Sequence, residues 1–152
     1  MISVFTQSCA EPLSKFFRDE YRNNHREIYV FGEFYGANSF AGRHDESDNY
    51  QIKIFDILVG HKNRKLIKPQ DFVKTIAKIV DTPDVVYSGN LNDQFIKDVR
   101  EGRYDVNEGV ICKGTEPTGA AFGGIWQCKI KTQKYLNKLQ EVYGTEWAKY
   151  WE

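Results

Sequence analysis

The apolar residues of this chain of 152 come in short pieces, and the longest, such as residues 54–60, have the length of one strand. A helix that crosses a bilayer needs about 20 consecutive apolar residues, so no membrane span and no membrane partner is expected. A chain built from such pieces must make its core by packing several small strands and amphipathic helices against each other. It has the material to do so: 41% hydrophobic and 14% aromatic residues with only four prolines exclude wholesale disorder. The length suits one domain, spanning residues 1–152. Met1-Ile2-Ser3-Val4 runs into Glu11 before any long apolar block, unlike a secretory leader, and a cytoplasmic address is expected.

The order of the pieces sets the fold class. Leu13, Phe16, Phe17 and Tyr21 recur at helical spacing after Pro12, which predicts a helix over 11–24. Residues 27–35 are rich in β-branched and aromatic side chains and stop at Gly36, which reads as a strand. A polar loop over 37–49 leads to a second strand over 50–59, and Leu66-Ile67 can begin a short return strand. Pro69 followed by Phe72, Val73, Ile76, Ile79 and Val80 predicts another helix, with Asp71 in its first turn. Residues 84–88 read as a short strand and 91–101 as a helix ended by Gly102. Strands over 108–113 and 124–131 flank a glycine-rich connection, and a last helix over much of 132–151 carries Leu136, Leu139, Val142 and Tyr143 along one face. Strands and helices do not alternate as βαβ units, so the expected fold is α+β with mainly antiparallel sheets and flanking helices.

Twenty-one basic residues balance twenty-one acidic ones, so any phosphate or nucleic-acid contact must come from a local patch. The most basic stretch lies in residues 51–80, where Lys53, Lys62, Arg64, Lys65, Lys68, Lys74 and Lys78 face only Asp56 and Asp71. It could follow a nucleic-acid backbone or be a solvated surface. Cys9, Cys112 and Cys128 are odd in number and lack CxxC spacing, which indicates neither a disulfide framework nor a zinc site. Cys112 and Cys128 fall in apolar strand-like runs and read as small core residues. His44 beside Asp45 lacks a nucleophile in a recognisable setting, His25 and His61 suggest nothing specific, and glycines 114, 119, 123 and 124 make no phosphate-loop fingerprint.

Four segments carry candidate chemistry. In Trp126-Gln127-Cys128-Lys129-Ile130-Lys131, strand alternation puts Lys129 and Lys131 on one face and Trp126, Cys128 and Ile130 on the other. Two neighbouring ammonium groups suit a phosphate, and they equally suit a solvated edge strand. Glu108 enters a strand beside Gly109, which lets another group approach closely; it could hold a divalent metal or simply end a turn. Glu33 shares a strand face with the rings of Phe31 and Tyr35. Phe55 shares one with Gln51 and Lys53, where it could stack on a nucleobase or pack into the core. Asp56 falls on the opposite face with Ile52, Ile54 and Leu58, where a buried carboxylate would need a hydrogen-bonding partner.

Taken in order, FGEFYG (31–36), IFDI (54–57), EGVICK (108–113) and WQCKIK (126–131) resemble motifs III, IIIa, IV and V of covalent nucleotidyltransferases, nearest the ATP-dependent RNA ligases. The resemblance spans residues 27–131. It implies a partial adenylylation domain of RNA or DNA ligase type, binding ATP or AMP with Mg2+ and acting on RNA, with DNA as the other option. Carried over, Glu33 would contact the ribose or the metal's water network, Phe55 would stack on adenine, and Glu108 would help bind the metal. Lys129 and Lys131 would be the catalytic phosphate contacts. The family's first motif, a lysine followed by any residue, then Asp or Asn, then Gly, does not occur in this sequence. Without that nucleophile no lysyl-AMP forms by the family's route, so the expectation is a C-terminal portion, inactive alone or one half of a split ligase completed by a second polypeptide. The other expectation is a catalytically dead module that binds nucleotide, RNA or a protein.

Overall fold

The computed structural model describes residues 5–20, 27–37, 46–60, 64–117 and 124–151. Tyr21, His25, His44, Asp45, His61, Lys62, Gly119, Gly123 and most of the polar loop before residue 46 lie outside these. Among the described residues the fold is mixed helix and antiparallel sheet, and no helix is long and apolar enough to cross a membrane.

A wide helical turn, Thr6–Ala10, leads into α1, Glu11–Glu20. The Glu11 N–H bonds the Thr6 carbonyl five residues back, and Pro12, which has no N–H, interrupts the ladder there. Strand β1, Glu27–Tyr35, pairs antiparallel with β2, Gln51–Gly60, and β2 pairs with the short β3, Lys65–Leu66. The return strand thus lies one residue earlier than its apolar pair suggests, because Leu66 sits opposite Leu58 while Ile67 donates its N–H to the Ile57 carbonyl. Helix α2, Pro69–Thr75, tightens into a 3-10 turn, Ile76–Lys78, and buries Phe72, Ile76 and Val80; Val73 stays 45% exposed. These side chains close over Cys9, Leu13, Phe17, Ile54, Ile57 and Val59 as one core cluster.

The strand expected over 84–88 does not form. Val85 and Val86 are exposed with no strand beside them, and Tyr87 stacks on Phe95 at 4.4 Å while its hydroxyl donates to the Asn90 carbonyl. An aromatic anchor satisfies this segment better than an unpaired strand, which would leave its backbone groups without a ladder. Helix α3, Asp93–Arg100, starts where the Asn92 side chain accepts the Phe95 N–H at 2.8 Å. It ends in a Schellman motif: Arg103 N–H bonds the Asp98 carbonyl, Gly102 N–H bonds the Val99 carbonyl, and Gly102 takes φ 73°.

Strands β4, Gly109–Pro117, and β5, Ile125–Lys131, form a separate two-stranded sheet. Gly109 lies against Ile130 and Lys131 and Gly114 against Trp126, so the strands run antiparallel. Phe95, Val99 and Ile130 form a second core cluster, with Ile96, Tyr104, Val110, Cys112 and Cys128 packed on it. Helix α4, Gln133–Tyr143, buries Tyr135 and Leu139, then runs into a 3-10 segment, Gly144–Lys149. Val142, expected on the inner face, is 55% exposed. The orientation of α4 is set at its first turn, where Thr132 is anchored to the chain before β4, and that turns Tyr135 inward.

The residues fall into two compact units. The first holds α1, the three-stranded sheet, α2 and residues 113–117 and 124–126; the second holds residues 85–112 and 127–151.

Candidate functional site

In the second unit, Asn107-Glu108-Gly109 is stitched to Ile130-Lys131-Thr132. Thr132 donates its N–H to the Glu108 carbonyl at 2.9 Å and its hydroxyl to the Asn107 carbonyl at 3.0 Å, and its hydroxyl oxygen accepts the Tyr135 N–H at 3.1 Å. One buried threonine therefore ends β5, caps α4 and holds the start of β4. Gly109 makes this approach possible: a Cβ there would collide with the Ile130 carbonyl oxygen and stand 2.8 Å from the Lys131 Cα. The close approach expected beside Glu108 is thus made by the neighbouring strand.

That stitching brings Glu108 and Lys131 together in an ion pair. The Lys131 ammonium also lies over the Tyr135 ring, 4.9 Å from its centroid. The burial is uneven: the Lys131 side chain is 7% exposed and that of Glu108 is 36% exposed. A buried ammonium is tolerable when it is paired and hydrogen-bonded, and here a carboxylate and a ring face share that task. Lys129, two residues earlier in β5, is exposed. Ile130 and Cys128 pack into the second core cluster, as alternation predicts, whereas Trp126, expected beside them, is 44% exposed. The two lysines therefore differ in kind: one is held inside a pair and the other faces solvent.

In the first unit, Glu33 is exposed on β1 opposite Lys53, and Tyr35 donates its hydroxyl to Gln51 at 3.0 Å. Burial holds the Tyr35 phenol above its ordinary range. Phe31 is 39% exposed on the same face as Glu33. Phe55 is half-buried and occupies a β-bulge: Phe31 pairs with Asp56 and Gly32 with Ile54, so Phe55 stands between two rungs. The extra residue reverses the alternation beyond it. Ile57 and Val59 join Ile52 and Ile54 at the core cluster, and Asp56 turns away from them with Leu58. The expected grouping of Asp56 with Ile52 and Ile54 is corrected by this bulge.

The partner that a buried Asp56 requires is Lys113. Its ammonium donates to Asp56 Oδ1 at 2.7 Å and to the carbonyl of the bulge residue Phe55 at 2.6 Å. The two side chains are 14% and 20% exposed. Lys113 closes the EGVICK segment, but nothing in its spacing indicates a bulge carbonyl as its target.

The basic stretch in 51–80 is partly neutralised. Arg64 bonds Glu27 at 2.6 Å, Lys68 bonds Glu116 at 2.7 Å, and Lys53 lies 4.0 Å from Asp81. Glu27, Glu116 and Asp81 all come from outside that stretch, so local counting overstates its charge.

Among the described residues no group of three His, Cys, Asp or Glu side chains gathers as a metal site. Glu108 alone suits a divalent ion that draws its other ligands from phosphate and water, as magnesium commonly does, and its partial exposure leaves the carboxylate reachable. A shallow depression lined by Asp93, Ile96, Lys97, Arg100, Glu101 and Gln133 lies on α3 and the start of α4, and no motif residue is in its lining. Comparison with protein-family models, with curated proteins and with solved structures finds no match to this chain.

Proposed function

We propose that this chain is the phosphate-binding portion of an RNA-ligase-like nucleotidyltransferase, which binds ATP or AMP with Mg2+ but transfers no AMP by itself. One observation carries the reading: the EGVICK and WQCKIK segments are adjacent strands that join Glu108 to Lys131 and leave Lys129 facing solvent. In this reading Lys129 takes the phosphate, and Lys131 reinforces it as Glu108 turns part of its charge toward the metal. Magnesium, when bound, would neutralise phosphate charge. The missing lysine motif comes from a second polypeptide, and the working site is cytoplasmic. The self-neutralised Glu108–Lys131 pair favours a second reading, in which the module binds nucleotide or RNA without chemistry.

The test is titration calorimetry of the chain with ATP and magnesium, beside Lys129→Ala, whose exposed side chain can be removed without disturbing the core. The reading expects binding by the parent and at least a tenfold loss in the variant, with an unchanged circular dichroism spectrum. Parent protein that ignores ATP, or a variant that binds equally well, refutes it. Radiolabel from α-labelled ATP should reach protein only when a chain bearing the lysine motif is added; no label in that mixture favours the binding-only reading.

A further inference from the structure

Cys112 and Cys128 both belong to the second unit, and the register of β4 and β5 sets them face to face. Three anchors share one offset: the Thr132 N–H on the Glu108 carbonyl, Gly109 against Lys131, and Gly114 against Trp126. The same offset at both ends leaves no net bulge between them, so Cys112 lies directly across from Cys128. The Thr132–Glu108 hydrogen bond also marks its rung as a hydrogen-bonded one. Such rungs recur every second residue, which places 110 with 130 and 112 with 128. Val110, Cys112, Cys128 and Ile130 accordingly all pack against the Phe95 and Val99 cluster of α3. Both thiols are half-buried and free, and burial, then the nearby Cys128, holds the Cys112 thiol above its ordinary range.

We propose that Cys112 and Cys128 are a site of reversible cross-strand disulfide formation, made and broken by exchange with a low-molecular-weight disulfide such as oxidised glutathione. The Cα atoms of a hydrogen-bonded rung are about 5.5 Å apart, inside the roughly 4.4–6.8 Å that a disulfide spans. Both side chains pack on the same core cluster from opposite positions, so closure needs no change of register. One cysteine thiolate attacks a glutathione sulfur and expels a glutathione thiolate, which leaves a mixed disulfide on the protein. The other cysteine, as thiolate, then attacks the protein-bound sulfur and expels the second glutathione. The two cysteine sulfurs together give up two electrons, the glutathione disulfide takes them, and the two thiol protons end on the released glutathiones. Burial, then the neighbouring Cys128, pushes the Cys112 thiol up to about 11. The pair therefore rests as thiols at neutral pH and exchanges slowly.

The test is incubation of the folded full chain with oxidised glutathione at mildly alkaline pH, followed by non-reducing peptide mapping by mass spectrometry. The expected product has lost two hydrogens and joins the Cys112 and Cys128 peptides; dithiothreitol reverses it, and Cys9→Ser still forms it. Cys112→Ser and Cys128→Ser should instead each carry one glutathione on the remaining partner. Glutathione adducts without a cross-link in the parent, unmodified thiols, or a cross-link that appears only in urea would overturn the proposal. No nucleotide enters this experiment, so its outcome is independent of the functional reading above.

Discussion

Replacing Gly109 with alanine should be among the most damaging single-methyl additions in this chain. Two separable costs act there. The backbone has φ 156°, a value that L side chains rarely adopt, and such strain costs about 1–3 kcal/mol. The added carbon would also collide with the Ile130 carbonyl oxygen and crowd the Lys131 Cα at 2.8 Å, and both obstacles are backbone. Overpacking of that kind costs roughly another 1–3 kcal/mol, for a total of about 2–6 kcal/mol against a usual domain stability of about 5–15 kcal/mol. Gly102 is the internal control: it has φ 73° with nothing within 4 Å of where a methyl group would stand, so Gly102→Ala should cost only about 1–2 kcal/mol. Urea unfolding followed by circular dichroism gives both values, and hydrogen exchange at residues 109–112 and 127–131 should show the loss locally in Gly109→Ala. Equal midpoints for the two variants would refute the claim that strand contact at Gly109 holds Glu108 against Lys131.

Other substitutions separate paired lysines from free ones. Lys131→Met leaves Glu108 without its cation and should cost about 1–3 kcal/mol, whereas Lys129→Ala should stay within about 0.5 kcal/mol; the same urea titration reads both. Asp56→Ala strands the Lys113 ammonium, which is 20% exposed, and should cost about 1–3 kcal/mol. Adding Lys113→Met should recover part of that loss, a coupling measured by a double-mutant cycle. The Cys112 thiol has its folded pKa raised from 9.0 to about 11, so the unfolded chain releases this proton first as pH rises. Its contribution to stability is complete below pH 9 and drains away between 9 and 11; denaturation midpoints across that range should fall more steeply for the parent than for Cys112→Ala. Asn92→Ala should cost about 1 kcal/mol, seen as a lower thermal midpoint, because its side chain caps α3.

Most elements could be read from local pattern, since a helix or strand is announced by the period of its own apolar residues. Residues 27–35 form β1 with the expected bounds. Gly102 stops α3 through left-handed backbone geometry, which glycine adopts at little cost. Val85-Val86-Tyr87 also carries strand-forming residues, yet a strand exists only beside another strand, and none of the described residues pairs with it. Period-two alternation likewise separates Lys129 and Lys131 from Cys128 and Ile130, but it cannot tell a solvent-facing lysine from one enclosed by Glu108 and Tyr135.

The bulge at Phe55 shows where local reading ends. A bulge is a mismatch between two strands, so neither β1 nor β2 contains it alone, and one unmatched residue moves Asp56 off the core face and into reach of Lys113, 57 residues away. Chain-local preferences and side-chain periods are properties of neighbouring residues and are written in their order. Which charges meet, which thiols lie opposite each other and which carboxylate is enclosed depend on pairing between distant segments, and here strand register at Phe55, Gly109 and Cys112 settled all three.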